Sequence, residues 1–117
     1  MSQDSLSLLN RIAQIIYDKK GSNILALDMK ESSSMADYFL IAEGSIERHV
    51  SSIAHSIIDG LEEKAVKIEG LRAGDWVVLD FVEVVIHLFR PGLREKYSLE
   101  KLWRESSIVD LEIKTVS

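Results

Sequence analysis

Asp37-Tyr38-Phe39-Leu40-Ile41-Ala42-Glu43-Gly44-Ser45, with the helical pattern that follows it, is the stretch that decides the fold. Asp37 to Ala42 is a short apolar run containing two aromatic rings, the composition of a strand that ends near Gly44. Ser45 stands where a helix N-cap belongs. Beyond it Val50, Ile53, Ala54, Ile57, Ile58 and Leu61 fall on one continuous stripe, with Glu47, Arg48, Ser52 and Asp59 outside it. A strand, this crossover helix and a following strand make a β-α-β unit, right-handed if its strands are parallel.

Upstream, Asn23 to Asp28 reads as a buried strand, and Ser32, Ser33 and Ser34 break the pattern before the next one. Asp4 to Lys20 carries Leu9, Ile12, Ala13 and Ile16 at the spacing of one helical face. Asp4 is placed to cap its start, and Lys19, Lys20 and Gly21 supply a basic last turn and a glycine stop. Downstream come strands at Lys67 to Leu71, Asp75 to Phe81 and Val84 to Phe89, the last two close enough to require an antiparallel hairpin. Leu93 to Trp103 suits one short helix with Ser98 as a cap, and Ile108 to Ile113 alternates like an edge strand. The expectation is one α/β domain of the mixed α+β kind over residues 1–117, a mixed sheet of about five strands with helices packed on it.

Composition bounds the function. With 117 residues, 46% of them hydrophobic and 28% charged, the chain supports one core without staples, and it has no cysteine. Disulfides, thiol catalysis and thiolate metal sites are excluded. No apolar run approaches the length of about 20 residues that a membrane span needs. Met1-Ser2-Gln3-Asp4 shows no secretory pattern, so a cytoplasmic location is expected and no membrane partner. A net charge of −5 opposes binding to DNA or free RNA. The charge is uneven: Asp59 to Glu83 is acidic, whereas Arg90 to Arg104 is basic. An acidic face of that kind would steer a basic protein toward it, although charge runs are more often plain solvated surface.

Candidates for chemistry are few. His49 and His55 fall on nearly opposite helical faces, so no metal site is expected. His87 points to the same strand face as Val85 and Phe89 and reads as a core histidine satisfied by a carbonyl or carboxylate, with Asp80 and Asp75 available on the hairpin partner. No nucleophile elbow is present. Gly44-Ser45 before a helix would suit an anion, and polymerase-like nucleotidyltransferases use a Gly-Ser pair there. They also need two closely spaced carboxylates for metal ions, and Asp80 and Glu83 flank a turn and project apart. Trp76, Tyr97 and Trp103 are hot-spot residue types, and the last two are interleaved with Arg94, Lys96 and Lys101. Packing of the tail onto the sheet is, on composition alone, the slightly better account of Trp76 and Trp103. The residues alone point to a binding module without cofactor, not an enzyme.

Five separated motifs then resemble the Iojap family, the ribosomal silencing factors. They are Asp37 to Ile41, Glu69-Gly70, Trp76 to Asp80, Val85 to Phe89, and the ending Arg94-Glu95-Lys96-Tyr97, Leu99-Glu100, Leu102-Trp103. The resemblance implies a nucleotidyltransferase-like fold lacking the catalytic carboxylates. It implies binding to the large ribosomal subunit through its fourteenth ribosomal protein, which blocks subunit joining and represses translation; organellar relatives act in large-subunit assembly. Occupancy alone would do this, without turnover. Carried over by position, the matching residues are Asp37, Tyr38, Glu69, Gly70, Trp76, Asp80, His87, Arg94, Tyr97, Leu99, Glu100 and Trp103. Among them Trp76, Tyr97 and Leu99 are expected to anchor the partner, with Glu69 and Asp80 pairing its basic groups. His87 and Arg94 are expected to orient that surface, and Gly70 to permit a turn. Where the family usually has Gly-Asp after Asp80, this chain has Val82-Glu83, so a β-branched residue meets a turn that favours positive φ. The expectation is therefore another turn type or a bulge. Two other readings stay open: a nucleotidyltransferase-fold enzyme, and a direct RNA-binding module using Arg90 to Arg104. A free homodimer paired through the Ile108 to Ile113 edge also stays open.

Overall fold

The structure is a computed structural model that describes residues 2–31, 36–93 and 107–115. The first helix, α1 (Ser2–Asp18), buries Leu9, Ile12, Ala13 and Ile16 completely, as their spacing requires. It begins ahead of Asp4, which therefore lies in its first turn and not at its cap, and Lys19 and Lys20 lie beyond its last turn. Its stop is a Schellman arrangement in which Gly21 N–H donates to Ile16 O at 2.8 Å and Lys20 N–H to Tyr17 O at 2.9 Å. Lys20, with φ 66°, takes the left-handed position. Gly21 serves a different purpose: a Cβ there would lie 2.4 Å from Ile16 Cγ2.

Strands β1 (Ser22–Asp28) and β2 (Tyr38–Glu43) pair antiparallel. Helix α2 (Glu47–Gly60) follows and buries Val50, Ile53, Ala54 and Ile57 on the expected stripe. Its N-cap is Ile46, not Ser45, and Ile46 offers no side-chain capping hydrogen bond. Ser45 N–H is instead taken by Nδ1 of His49 at 2.8 Å, while Nε2 of His49 meets Lys19 O at 2.7 Å. One imidazole thus ties the end of α1 to the start of α2.

Strands β3 (Lys67–Glu69), β4 (Trp76–Asp80), β5 (Val84–Phe89) and β6 (Ser107–Val109) complete one sheet in the order β3-β4-β5-β2-β1-β6. The sheet has six strands where about five were expected, and β3, β4 and the terminal edge strand are each shorter than their sequence patterns suggested. The strand parallel to β2 is β5, so the β-α-β unit is split by the β3–β4 excursion to the edge. The helix expected over Leu93 to Trp103 falls largely outside the described residues.

Both helices pack on one sheet face against Leu40, Ala42, Val77, Leu79, Val84, Ile86 and Leu88. Tyr38 belongs to this face, and its hydroxyl accepts from Lys30 Nζ at 2.9 Å while that ammonium sits 4.8 Å from the ring centroid. Residues 111–115 run beside α1: Glu112 N–H donates to Asn10 Oδ1 at 2.8 Å, and Lys114 N–H to Gln14 Oε1 at 2.7 Å. Two amides one helical turn apart thereby satisfy alternate peptide groups of an extended chain.

The β4–β5 hairpin takes a turn of another type, as expected, but one that does not spare the valine its positive φ. Register pairs Asp80 with Val85, and Phe81 N–H bonds Val84 O at 2.9 Å, leaving a tight loop of Val82 and Glu83. Val82 adopts φ 74°, with Glu83 N–H donating to Phe81 O at 2.9 Å in the closure of a γ-turn. The carboxylate of Asp80 accepts Val82 N–H at 2.8 Å and helps hold that conformation.

Candidate functional site

Alternation along the strands sends Val85, His87 and Phe89 to the sheet face away from the helices, and register extends that face across the sheet. One row of neighbours reads Glu69, Val78, His87, Ile41, Leu25 across β3, β4, β5, β2 and β1. The next reads Lys67, Asp80, Val85, Phe39, Leu27, and Trp76 pairs with Phe89 beyond the first row. Glu69, Trp76, Asp80 and His87, which were widely separated motifs in the sequence, therefore share one surface.

Its centre is aromatic. Ring centroids lie 5.1 Å apart for Trp76 and Phe89, 6.1 Å for Trp76 and His87, and 5.1 Å for Phe39 and His87. Phe89 is wholly buried with Leu27, Ile41, Met29 and Leu93 in a second, smaller core, whereas Phe39 and Trp76 are only partly covered. Trp76 Nε1–H donates to His87 Nδ1 at 3.2 Å. The partner of His87 is thus an indole, not the carboxylate of Asp75 or Asp80 that the sequence suggested. Accepting that bond puts the ring proton on Nε2, which is buried without a hydrogen-bond partner among the described residues. Burial lowers the His87 pKa to about 4, so the imidazole is neutral at pH 7.

The charged groups lie at the margin. Glu69 is bridged by Lys67 at 2.8 Å, and Glu69 followed by Asp80 holds the Lys67 ammonium above its usual pKa. Asp75 accepts from Arg90 Nε at 2.9 Å, with Glu47 3.4 Å from the same nitrogen. That commitment joins the hairpin base to α2 and removes Arg90 from the free basic groups. Gly70 has φ 75°, and a Cβ on it would lie 2.0 Å from Trp76 O, so this turn sets where β4 begins. Asp37 connects β2 to the hairpin through backbone bonds, its N–H donating to Glu83 O at 2.8 Å. Tyr38 is buried on the helix side and is not brought to this surface. Arg94, Tyr97, Leu99, Glu100 and Trp103 lie outside the described residues. Phe39 is the member that sequence reasoning missed; its alternation with buried Leu40 was the available signal.

The helix N-terminus after Gly44 is occupied by the chain's own groups, His49 on Ser45 N–H and Glu47 in the first turn. Among the described residues, no three His, Cys, Asp or Glu side chains converge on a metal position, and no helix is long and apolar enough to cross a membrane.

Comparison with known proteins agrees with the motifs. A family model described as ribosomal silencing factor during starvation matches residues 2–117. The chain is similar to the ribosomal silencing factor RsfS of Bacillus subtilis, 40% identical over 91% of this chain and 92% of that protein. It is also similar to mouse mitochondrial assembly of ribosomal large subunit protein 1, 32% identical over 87% of this chain and 47% of that one. Among solved structures, a Bacillus halodurans protein superposes with a TM-score of 0.77 at 35% identity, covering 93% of this chain and 99% of the other.

Proposed function

The chain belongs to the ribosomal silencing factor family, and from that premise we propose that it binds the large ribosomal subunit through the fourteenth ribosomal protein and so blocks subunit joining. The observation that supports this reading is the half-covered aromatic face on which Trp76, Phe39 and His87 meet, flanked by the carboxylates of Glu69 and Asp80. A partly exposed tryptophan in a rigid apolar setting is the kind of anchor that carries interface energy. The acidic margin complements a basic ribosomal protein, with Lys67 having to yield Glu69 to it. The proposal adds Tyr97 and Leu99 as anchors, with Arg94, Glu100 and Trp103 in support, on their resemblance to the family's motif. Mechanism then reduces to occupancy: a protein bound where the small subunit docks excludes it by volume, with no chemical step. The name of the mouse relative suggests that the same docking also serves large-subunit assembly.

Sedimentation of purified large and small subunits with and without the protein tests the reading. Co-migration with the large subunit and loss of the joined particle are expected. Free protein at the top of the gradient with undiminished joining would overturn it.

A further inference from the structure

On the opposite side of the sheet, at the β3 edge, the surface carries a second apolar feature that the ribosome-facing reading does not use. Among the described residues six large apolar side chains are exposed, and Val66 (67%), Ile68 (44%) and Val82 (54%) gather at this one corner. Beside them a groove of about 320 Å³ opens between the end of α2 and the β3–β4 edge. Its apolar floor is Ile58, Leu61, Ala65, Ile68 and Phe81, and Glu62, Glu63 and Lys64 form the rim. Ile68 pairs with Leu79, a residue of the helix-side core, so the groove lies on the face away from Trp76. β3 is the outermost strand and only three residues long.

We propose that this groove is a docking site for a basic segment of another protein that presents large apolar side chains. Charge selects the occupant. Of the seven acidic residues from Asp59 to Glu83, Glu69 and Asp80 belong to the far face and Asp75 to Arg90, which leaves Asp59, Glu62, Glu63 and Glu83 on this side against Lys64 and Arg11. Glu62 and Glu63 rim the groove just past the end of α2, Glu63 held by Arg11 through both carboxylate oxygens, with Asp59 in the last turn of the helix and Glu83 beside Val82 at the hairpin tip. Lysine or arginine side chains flanking an apolar anchor match both features, because their charges meet Glu62 and the neighbouring Asp59 and Glu83 while the anchor fills the floor. The hairpin tip adds a further observation. Val82 is a β-branched residue held at positive φ, a conformation that costs the free protein stability while more than half of the side chain stays exposed.

The test uses the full chain and a short synthetic helical peptide with leucines at i and i+4 and lysines elsewhere. Two-dimensional amide and methyl spectra follow the titration, with the same peptide bearing glutamates for lysines as control. The lysine peptide is expected to perturb Ala65, Ile68 and Phe81, and the glutamate peptide to bind at least about tenfold more weakly. Ile68→Asp should weaken binding about tenfold, and Glu62→Lys, on an exposed side chain that cannot unfold the core, severalfold. Trp76→Ala should leave it unchanged, which separates this surface from the ribosome-facing one. Equal binding of both peptides, perturbations confined to the Trp76 face, or self-association that Ile68→Asp abolishes would each overturn the proposal.

Discussion

Trp76 and His87 are bonded diagonally: Trp76 faces Phe89 and His87 faces Val78 across the β4–β5 ladder, yet the indole N–H reaches His87 Nδ1 at 3.2 Å. The bond fixes three things together. The imidazole is neutral, its proton is on Nε2, and the indole is tilted 32° against Phe89 with part of its surface left uncovered. Both residues thus act as one unit of the exposed face.

Acid should dissolve that unit. The His87 pKa, lowered by burial to about 4, lies below the value of 6.5 for an exposed histidine, so the unfolded chain binds more protons between these values. Stability from this group is therefore complete above pH 6.5 and is lost as pH falls toward 4. The expected loss between pH 7 and pH 4.5 is roughly 2 kcal/mol. Urea unfolding of the protein and of His87→Phe at both values checks it; an equal pH dependence in the variant would remove His87 as the cause.

Trp76 separates anchoring from folding. Trp76→Ala should weaken large-subunit binding by about 2 kcal/mol or more, roughly thirtyfold, while the helix-side core keeps the fold. Trp76→Phe retains ring contact with Phe89 but deletes the N–H donor, and it should fall between. Co-sedimentation over a range of protein concentrations measures the first effect and circular dichroism the second. Loss of the folded state in Trp76→Ala would make the residue structural and not an anchor.

Gly70 carries the position of β4. Its φ of 75° and the 2.0 Å approach of a built Cβ to Trp76 O leave no room for alanine. Gly70→Ala is expected to cost about 3 kcal/mol in thermal or urea unfolding and to shift Trp76 with it. A neutral substitution would mean that the turn relaxes independently of β4.

How much of this was legible follows from what periodicity encodes. β5 spans Val84 to Phe89 as its pattern implied, and the buried faces of both helices match their spacing, because burial and repeat are one physical fact. The ends were less legible. Ser45 has the composition of an N-cap, but a histidine four residues later takes its backbone N–H, and only the meeting of α1 with α2 puts that ring there. Likewise the alternation of β5 gave the face of His87, whereas its partner depended on the register set at the tight Val82-Glu83 loop. At that loop the sequence rule pointed the wrong way: the valine accepts positive φ because Asp80 and the ladder on both sides hold it.

That strained valine yields the last prediction. Left-handed backbone costs an L-residue about 1–2 kcal/mol, and glycine escapes it while losing roughly 0.5–1 kcal/mol of chain entropy on folding. Val82→Gly should therefore stabilise the protein by up to about 1 kcal/mol, read as a higher urea midpoint at unchanged slope. Its exposure of 54% means that little burial is forfeited. The same variant should bind the lysine peptide more weakly, since the apolar corner loses a side chain. Greater stability with weaker docking would show that the hairpin tip retains its strain for contact. Greater stability with unchanged docking would leave the strain real and assign Val82 no part in the groove. An unchanged midpoint would mean that Asp80 and the flanking ladder already relieve the turn.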